Sequence, residues 1–407
     1  MKKNVIVGQS GGPTAVINAS LYGVVYEALN REDACGTVYG MINGIEGFLS
    51  GKVIDMEPLE RSGVLELIKT TPGAYLGSCR YKLPEDLTDE VYPRLFGKFE
   101  EYGIGYFFYI GGNDSMDTVS KLSRYAEQTG SGIRFIGIPK TIDNDLVHTD
   151  HTPGYGSAAK YVASTVREIA LDASVYDNKQ SVTIVEIMGR HAGWLTAAGA
   201  LARKFEGDNP LLIYLPETAF DTEKFLDDVR AALRKVSNVV VCISEGINDG
   251  KGTFVCELAS SVGVDTFGHK MLTGSGKYLE NLVKEKIGVK VRSVELNVSQ
   301  RCSSSMLSGT DQKEAIASGA YGVKCAIEGE TGKMIAFRRL PGDEYRVDYV
   351  TEDVNAICNQ EKTVPAEWIT EGGSDVAGEF IDYARPLILG EVKIPVKDGL
   401  PLFAYRR

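Results

Sequence analysis

A repeated local pattern constrains this sequence more than any other feature. A short apolar run meets an abrupt glycine-rich or polar loop, and a segment with helical spacing follows. Residues 4–7 run into Gly8-Gln9-Ser10-Gly11-Gly12-Pro13-Thr14 before a helical stretch at 15–29. Residues 106–110 end in Gly111-Gly112-Asn113-Asp114-Ser115 before a helix over 118–128. Residues 135–138 end in Pro139-Lys140-Thr141-Ile142-Asp143-Asn144-Asp145. Short apolar runs bounded by turn formers suit buried parallel strands, and Pro139 stops its run because it has no N–H for the next ladder bond. Strands at 182–187, 211–215, 239–243 and 291–298 and helices at 157–172, 221–236 and 313–328 continue the alternation. Such alternation predicts an α/β protein with mostly parallel sheets.

With 407 residues the chain exceeds one typical core. Thr152-Pro153-Gly154-Tyr155-Gly156 breaks the pattern, so we expect two doubly wound, Rossmann-like domains. One takes residues 1–154 plus 300–365, the other 155–299 plus 366–407, with the active site in the cleft between them. A helix over 59–68, a strand and glycine-punctuated loop over 38–48, a small hairpin (333–338 with 345–350) and an irregular tail complete the reading. No apolar run is long enough for a membrane span, and the first residues turn polar too soon for a signal peptide, so a cytoplasmic protein is expected. Seven scattered cysteines without a C-x-x-C read as reduced core fillers.

The loops carry the chemistry. Lys140, Asp143 and Asp145 at a strand's carboxyl end supply a cation, a base and metal-ligand oxygens. Gly111-Gly112 lets backbone N–H groups approach an anion, and the helix that follows adds its positive end. Neither G-x-G-x-x-G nor the P-loop motif is present, which counts against a dehydrogenase and a P-loop kinase. A net charge of −11 argues against a nucleic-acid binder, and requires that any polyanionic ligand meet a local cluster of cations. His148, Asp150 and His151 read as turn polarity rather than a metal site, since hard cations prefer oxygens.

Four stretches, G-Q-S-G-G-P-T-A-V-I-N-A, I-G-G-N-D-S, P-K-T-I-D-N-D and E-I-M-G-R-H-A-G, occur in order. Together they resemble the phosphofructokinase family, and within it the diphosphate-dependent branch. ATP-using members carry glycine where Asp114 and Lys140 stand. Aspartate at 114 would oppose a nucleotide with bulk and charge, and Lys140 would neutralise the leaving phosphate of a compact diphosphate.

The resemblance implies reversible phosphorylation of fructose 6-phosphate by diphosphate with Mg²⁺, in a homodimer or homotetramer with shared active sites. It implies Asp143 as general base, and Arg80, Arg190 and Lys140 as further catalytic residues. Gly11, Gly12, Asp114, Ser115 and Lys140 would bind diphosphate, and Asn113 and Asp114 the metal. Thr141, Asp143, Met188, Gly189, Arg190, Glu245, Arg292 and Arg301 would bind the sugar phosphate. Asn113 replaces an acid of the family. Ser181, Val298 and Cys302-Ser303 depart from its sugar-phosphate contacts, which admits a longer ketose phosphate, with Lys277 as a compensating cation. Rivals are an ATP-dependent kinase and a non-catalytic regulatory subunit of the same fold.

Overall fold

The computed structural model describes residues 2–175, 177–258 and 274–406. In chain order the main strands are β1 (Lys3–Gln9), β2 (Cys35–Met41), β3 (Val53–Asp55), β4 (Ile104–Gly111), β5 (Arg134–Pro139), β6 (Ser181–Ile187), β7 (Leu212–Tyr214), β8 (Asn238–Ser244), β9 (Lys290–Glu295), β10 (Lys333–Arg339) and β11 (Val347–Asp353). The chain divides into two compact units. One comprises Met1–Ser157, Arg301–Glu361 and Gly390–Arg407; the other comprises Ala158–Gln300 and Lys362–Leu389.

The first unit is built on one sheet with the order β11-β10-β5-β4-β1-β2-β3. Its interior pairings β10/β5, β5/β4, β4/β1 and β1/β2 are parallel, and β2/β3 and β10/β11 are antiparallel at its edges. Both faces are covered, so the central strands are apolar on both sides. Val5, Val7, Phe108, Ile110, Ile136 and Ile138 enter one core, and Ile6, Phe107, Tyr109 and Phe135 enter the other. This is the period-two division of a strand between two faces. The chain leaves β1 toward β2 and returns on the other side to β4, so the winding reverses at the β1/β4 pair. Ligands bind at such reversals, outside the carboxyl ends of the strands.

The second unit holds a wholly parallel sheet in the order β7-β8-β6-β9. β8 is buried along its whole length, whereas β9 is an edge strand that leaves Lys290, Arg292 and Glu295 exposed. The α/β class is as expected. Among the described residues no helix is long and apolar enough to cross a membrane.

Several local expectations change. The helix expected over 59–68 is two, Glu57–Arg61 and Val64–Ile68, because Gly63 takes a left-handed φ of 75°. The loop after β2 winds into a short helix, Gly44–Leu49. The expected small hairpin is present, since β10 pairs antiparallel with β11, and its pairing with β5 joins it to the main sheet. Gly390–Arg407 packs with the first unit rather than the second. There Ala404 is buried and its N–H donates to Thr71 Oγ1 (2.9 Å), while Arg406 donates to Leu76 O (2.6 Å). A further glycine-rich run, Thr273-Gly274-Ser275-Gly276-Lys277, begins outside the described residues, at Thr273.

Candidate active site

In the first unit three loops meet at the winding reversal. Ser10 N donates to Ile110 O (2.9 Å), which carries the β1/β4 ladder one step past β1. The chain then turns at Gly11, whose φ of 75° favours glycine. Gly11 N donates to Cys79 O (3.1 Å), and Ser78 Oγ donates to Gly11 O (2.6 Å). These bonds fix the glycine loop against the segment that presents Arg80.

Two fully buried amides brace the arrangement from below. Gln9 Nε2 donates to Asn18 Oδ1 (2.9 Å), Gln9 Oε1 accepts from Leu76 N (2.9 Å), and Asn18 takes Tyr75 N (2.8 Å) and gives to Thr71 O (2.8 Å). Buried polar groups persist when they are hydrogen-bonded, and here each amide grips the loop that leads to Arg80. Neither residue was singled out from the sequence. The signal was present, since each is a polar residue inside an apolar element.

Lys140 follows β5. Its N–H donates to Gly111 O (2.9 Å), its ammonium donates to Gly12 O (2.6 Å), and the side chain is only 3% exposed. A methyl group on Gly11 would lie 3.5 Å from that ammonium, and one on Gly12 would lie 3.5 Å from Arg301 Nη1. Both cations therefore stand directly against the glycine pair. Burial lowers Lys140 to about 8; Asp143 and Asp145 oppose that, and Arg301 and Arg80 reinforce it. A lysine poised this way gains an anionic ligand readily, because the ligand restores what burial removed.

Asp143 is half-buried in dense surroundings. Burial, then the charge of Asp145, pushes its carboxyl above the usual range, against the pull of Lys140 and Arg301. Glu361 adds to the rise. Asp143 N–H donates to Thr141 Oγ1 (3.1 Å), and the loop is closed on itself by Thr152 Oγ1 to Thr141 O (2.9 Å) and Thr152 N to Asn144 Oδ1 (3.1 Å).

The helix after β4 begins earlier than expected, at Asn113 rather than 118, and runs to Thr129. Asn113, Asp114 and Ser115 thus form its first turn. Asn113, expected to hold a metal with Asp114, instead uses both ends of its amide on a distant segment. Its Nδ2 donates to Gln360 O (2.6 Å), and its Oδ1 accepts from Asn359 N (2.5 Å). An amide so engaged ties the 359–360 segment to the first turn of this helix. Asp114 projects outward with its side chain 70% exposed, and pairs with Lys82 at 3.2 Å. Ser115 is buried, with its hydroxyl packed over Gly111, and does not face an open surface.

In the second unit the candidate residues, Arg292 apart, again sit at strand ends. Met188 N–H donates to Gln300 Oε1 (3.2 Å), and Glu245 N–H donates to Ile187 O (2.8 Å). Gly189 has a φ of 142°, its N–H donates to Glu245 Oε1 (3.4 Å), and its carbonyl accepts from Ser244 Oγ. A methyl group on Gly189 would lie 2.5 Å from Ala192 O. Arg190, half-buried, follows this turn, and Arg292 is exposed on β9.

Glu186, one residue before the end of β6, was overlooked. It is buried, and its Oε2 accepts from Gly276 N (2.7 Å) at the start of the helix Ser275–Lys286. Burial raises its pKa to about 7, partly offset by the N–H donors of Gly276 and Gly274. Lys277, offered as a compensating cation, is paired with Glu280 at 2.6 Å. Ser181 is likewise engaged, donating to Asn238 Oδ1 (2.6 Å).

Glycine-rich strand ends with buried and half-exposed cations around a carboxylate define an α/β protein with a cluster of positive charge at its strand ends. The phosphofructokinase family model matches residues 4–326, and the chain belongs to that family. It is 39% identical over 403 residues to the pyrophosphate–fructose 6-phosphate 1-phosphotransferase of Halomonas elongata, covering 98% of this chain and 95% of that one. It is 34% identical over 368 residues to the sulfofructose kinase of Alkalicoccus urumqiensis, covering 90% and 92%. The crystal structure of the pyrophosphate-dependent phosphofructokinase from Marinobacter aquaeolei superposes with a TM-score of 0.89 at 39% identity, over 99% of this chain and 95% of that one.

Proposed function

We propose that this protein transfers a phosphoryl group from diphosphate to the 1-hydroxyl of fructose 6-phosphate, yielding fructose 1,6-bisphosphate and phosphate, and that it does so reversibly. The observation that carries the reading is Lys140: a buried ammonium bonded to Gly12 O beneath the glycine pair, where it would meet the leaving phosphate of a short donor. The names of similar proteins support the same donor and acceptor.

In the reaction, Asp143 accepts the proton of the 1-hydroxyl as that oxygen bonds to phosphorus and the bridging P–O bond of diphosphate breaks. Its raised basicity suits a general base near neutral pH. Phosphoryl transfer through a loose transition state asks chiefly for positioning and charge neutralisation. We assign those tasks to Arg80, Arg190 and Lys140. Gly11 and Gly12 contact the donor, together with Asp114 and, less directly, Ser115. Thr141, Met188, Gly189, Arg190, Glu245, Arg292 and Arg301 bind the sugar phosphate. On this reading the first unit serves diphosphate, and the second serves the sugar together with Thr141 and Arg301 of the first.

Mg²⁺ fits this chemistry. Among the described residues no group of three or more His, Cys, Asp or Glu side chains could hold a metal ion, and Mg²⁺ characteristically needs only one or two carboxylates beside substrate phosphates. Asp114, exposed in the first turn of its helix, is the carboxylate we assign. When bound, the ion would neutralise charge on the diphosphate oxygens. A cytoplasmic homodimer or homotetramer completes the proposal, with Arg292 on its exposed edge strand available to a neighbouring subunit.

A second acceptor has support of its own. The similarity to a sulfofructose kinase, with Ser181 and Lys277 engaged within their own unit, keeps another 6-substituted ketose in view. Reverse-direction ³¹P NMR tests the main reading: fructose 1,6-bisphosphate and phosphate should give a diphosphate resonance. No diphosphate from that pair, with turnover of another ketose bisphosphate, would replace the acceptor.

A further inference from the structure

His151, which the chemistry above does not use, is almost completely buried, at 1% exposure. Its Nδ1 lies 2.8 Å from Asp150 Oδ1 and its Nε2 lies 2.7 Å from Glu314 Oε2. Arg339 reaches the same Asp150 oxygen (2.9 Å), Tyr345 donates to Glu314 Oε1 (2.7 Å), and the Phe337 ring packs edge-on at 4.9 Å. With His151 protonated, two cations face two carboxylates. With it neutral, a net negative charge would be buried, which is costly.

The clamp stands where the loop of Asp143 returns to the body of the first unit. Thr152 and Pro153, next in sequence, hold Thr141 and Asn144 through Thr152 Oγ1 to Thr141 O, Thr152 N to Asn144 Oδ1, and Thr141 N to Pro153 O. Beyond them Gly154 N and Ser157 N donate to Asp311 (2.9 Å each), one turn before Glu314 on the helix Gly309–Glu328. The return leg is thus bolted twice to one helix.

We propose that His151 is a positioning residue for the loop 140–145: as an imidazolium between Asp150 and Glu314, it fixes the return leg from which Thr141 and Asn144 are held. The inference rests on Asp143 being the base. The surrounding charges agree with it. Burial alone would lower His151, but Glu314 and Asp150 outweigh that and raise it to about 9.

The test uses His151→Gln and the charge-balanced double variant His151→Gln/Glu314→Gln, which guards against simple unfolding. In the unaltered protein, ¹⁵N NMR of the rings should find both His151 nitrogens protonated at neutral pH. In the folded double variant, hydrogen exchange of the 141–145 amides should accelerate. Turnover should fall about tenfold or more while KM for fructose 6-phosphate stays within about threefold, as for a misplaced catalytic group. A neutral ring, or unchanged exchange in the double variant, would overturn the proposal whatever the turnover. Faster exchange with no diphosphate-dependent activity even in the unaltered protein would support the clamp and sink the reading of the site instead.

Discussion

The two units present their candidate site groups at the ends of parallel strands in opposite ways. In the first, the functional end is made of buried charge: Lys140 under the glycine pair, Asp143 beside Asp145, and two arginines within electrostatic reach. In the second, it is made of backbone geometry, with Gly189 at a φ of 142° and its carbonyl and N–H both held. The buried charge there, Glu186, braces a helix start. In the proposed reaction a donor that must lose a phosphate needs charge already in place, whereas the sugar phosphate is held by shape, a few hydrogen bonds and the cations Arg190 and Arg292.

The largest effect should come from Asp143→Asn, which would cut turnover by about 10²–10⁴ while equilibrium binding of fructose 6-phosphate survives. If turnover survives as well, the base lies elsewhere and the contrast between the units fails. Lys140→Met should lower kcat/KM for diphosphate by about tenfold to a hundredfold, the worth of a charge-assisted hydrogen bond, in steady-state assays. Gly189→Ala should act instead on KM for the sugar phosphate, and should cost about 1–3 kcal/mol of stability from backbone strain and the clash with Ala192 O. A rise in KM for diphosphate alone would break the assignment of the second unit.

The smallest and most discriminating test is pH-dependent stability without ligand. Lys140 is depressed to about 8 from an unfolded value near 10.4, so its burial penalty is absent above that unfolded value and complete below about 8. Lys140→Met should therefore stabilise the protein at neutral and acid pH, with the gain fading as pH rises past 8. Glu186 is raised to about 7 from near 4.3, so its favourable contribution is complete at acid pH and lost as pH rises through 7. Glu186→Gln should stabilise above pH 7 and not at acid pH. Either gain should be on the order of 3 kcal/mol, readable from denaturant midpoints, and gains of the same sign in pH would contradict the comparison.

Much of this was legible in the sequence because it is local. The strand ends, the glycine pair at 11–12, and Lys140 and Asp143 behind Pro139 follow from apolar runs that stop abruptly. The helix start at Asn113 was missed because its first turn is polar and shows no apolar period. The engagement of Asn113 by Asn359 and Gln360, the Gln9/Asn18 brace on residues 71–76, and the return of the tail to Thr71 join residues far apart in sequence. No window of local pattern contains both ends of such contacts. His151 was seen but read as turn polarity, since its partner Glu314 lies far along the chain.

The central claim is that a buried lysine and an exposed aspartate select a small inorganic donor. The most direct measurement offers diphosphate and ATP side by side to the purified protein with Mg²⁺ and fructose 6-phosphate, and repeats it with Asp114→Gly/Lys140→Gly. The account predicts turnover with diphosphate and little with ATP in the unaltered protein, and a shift of preference toward ATP in the double variant. Robust turnover with ATP and none with diphosphate in the unaltered protein would contradict it.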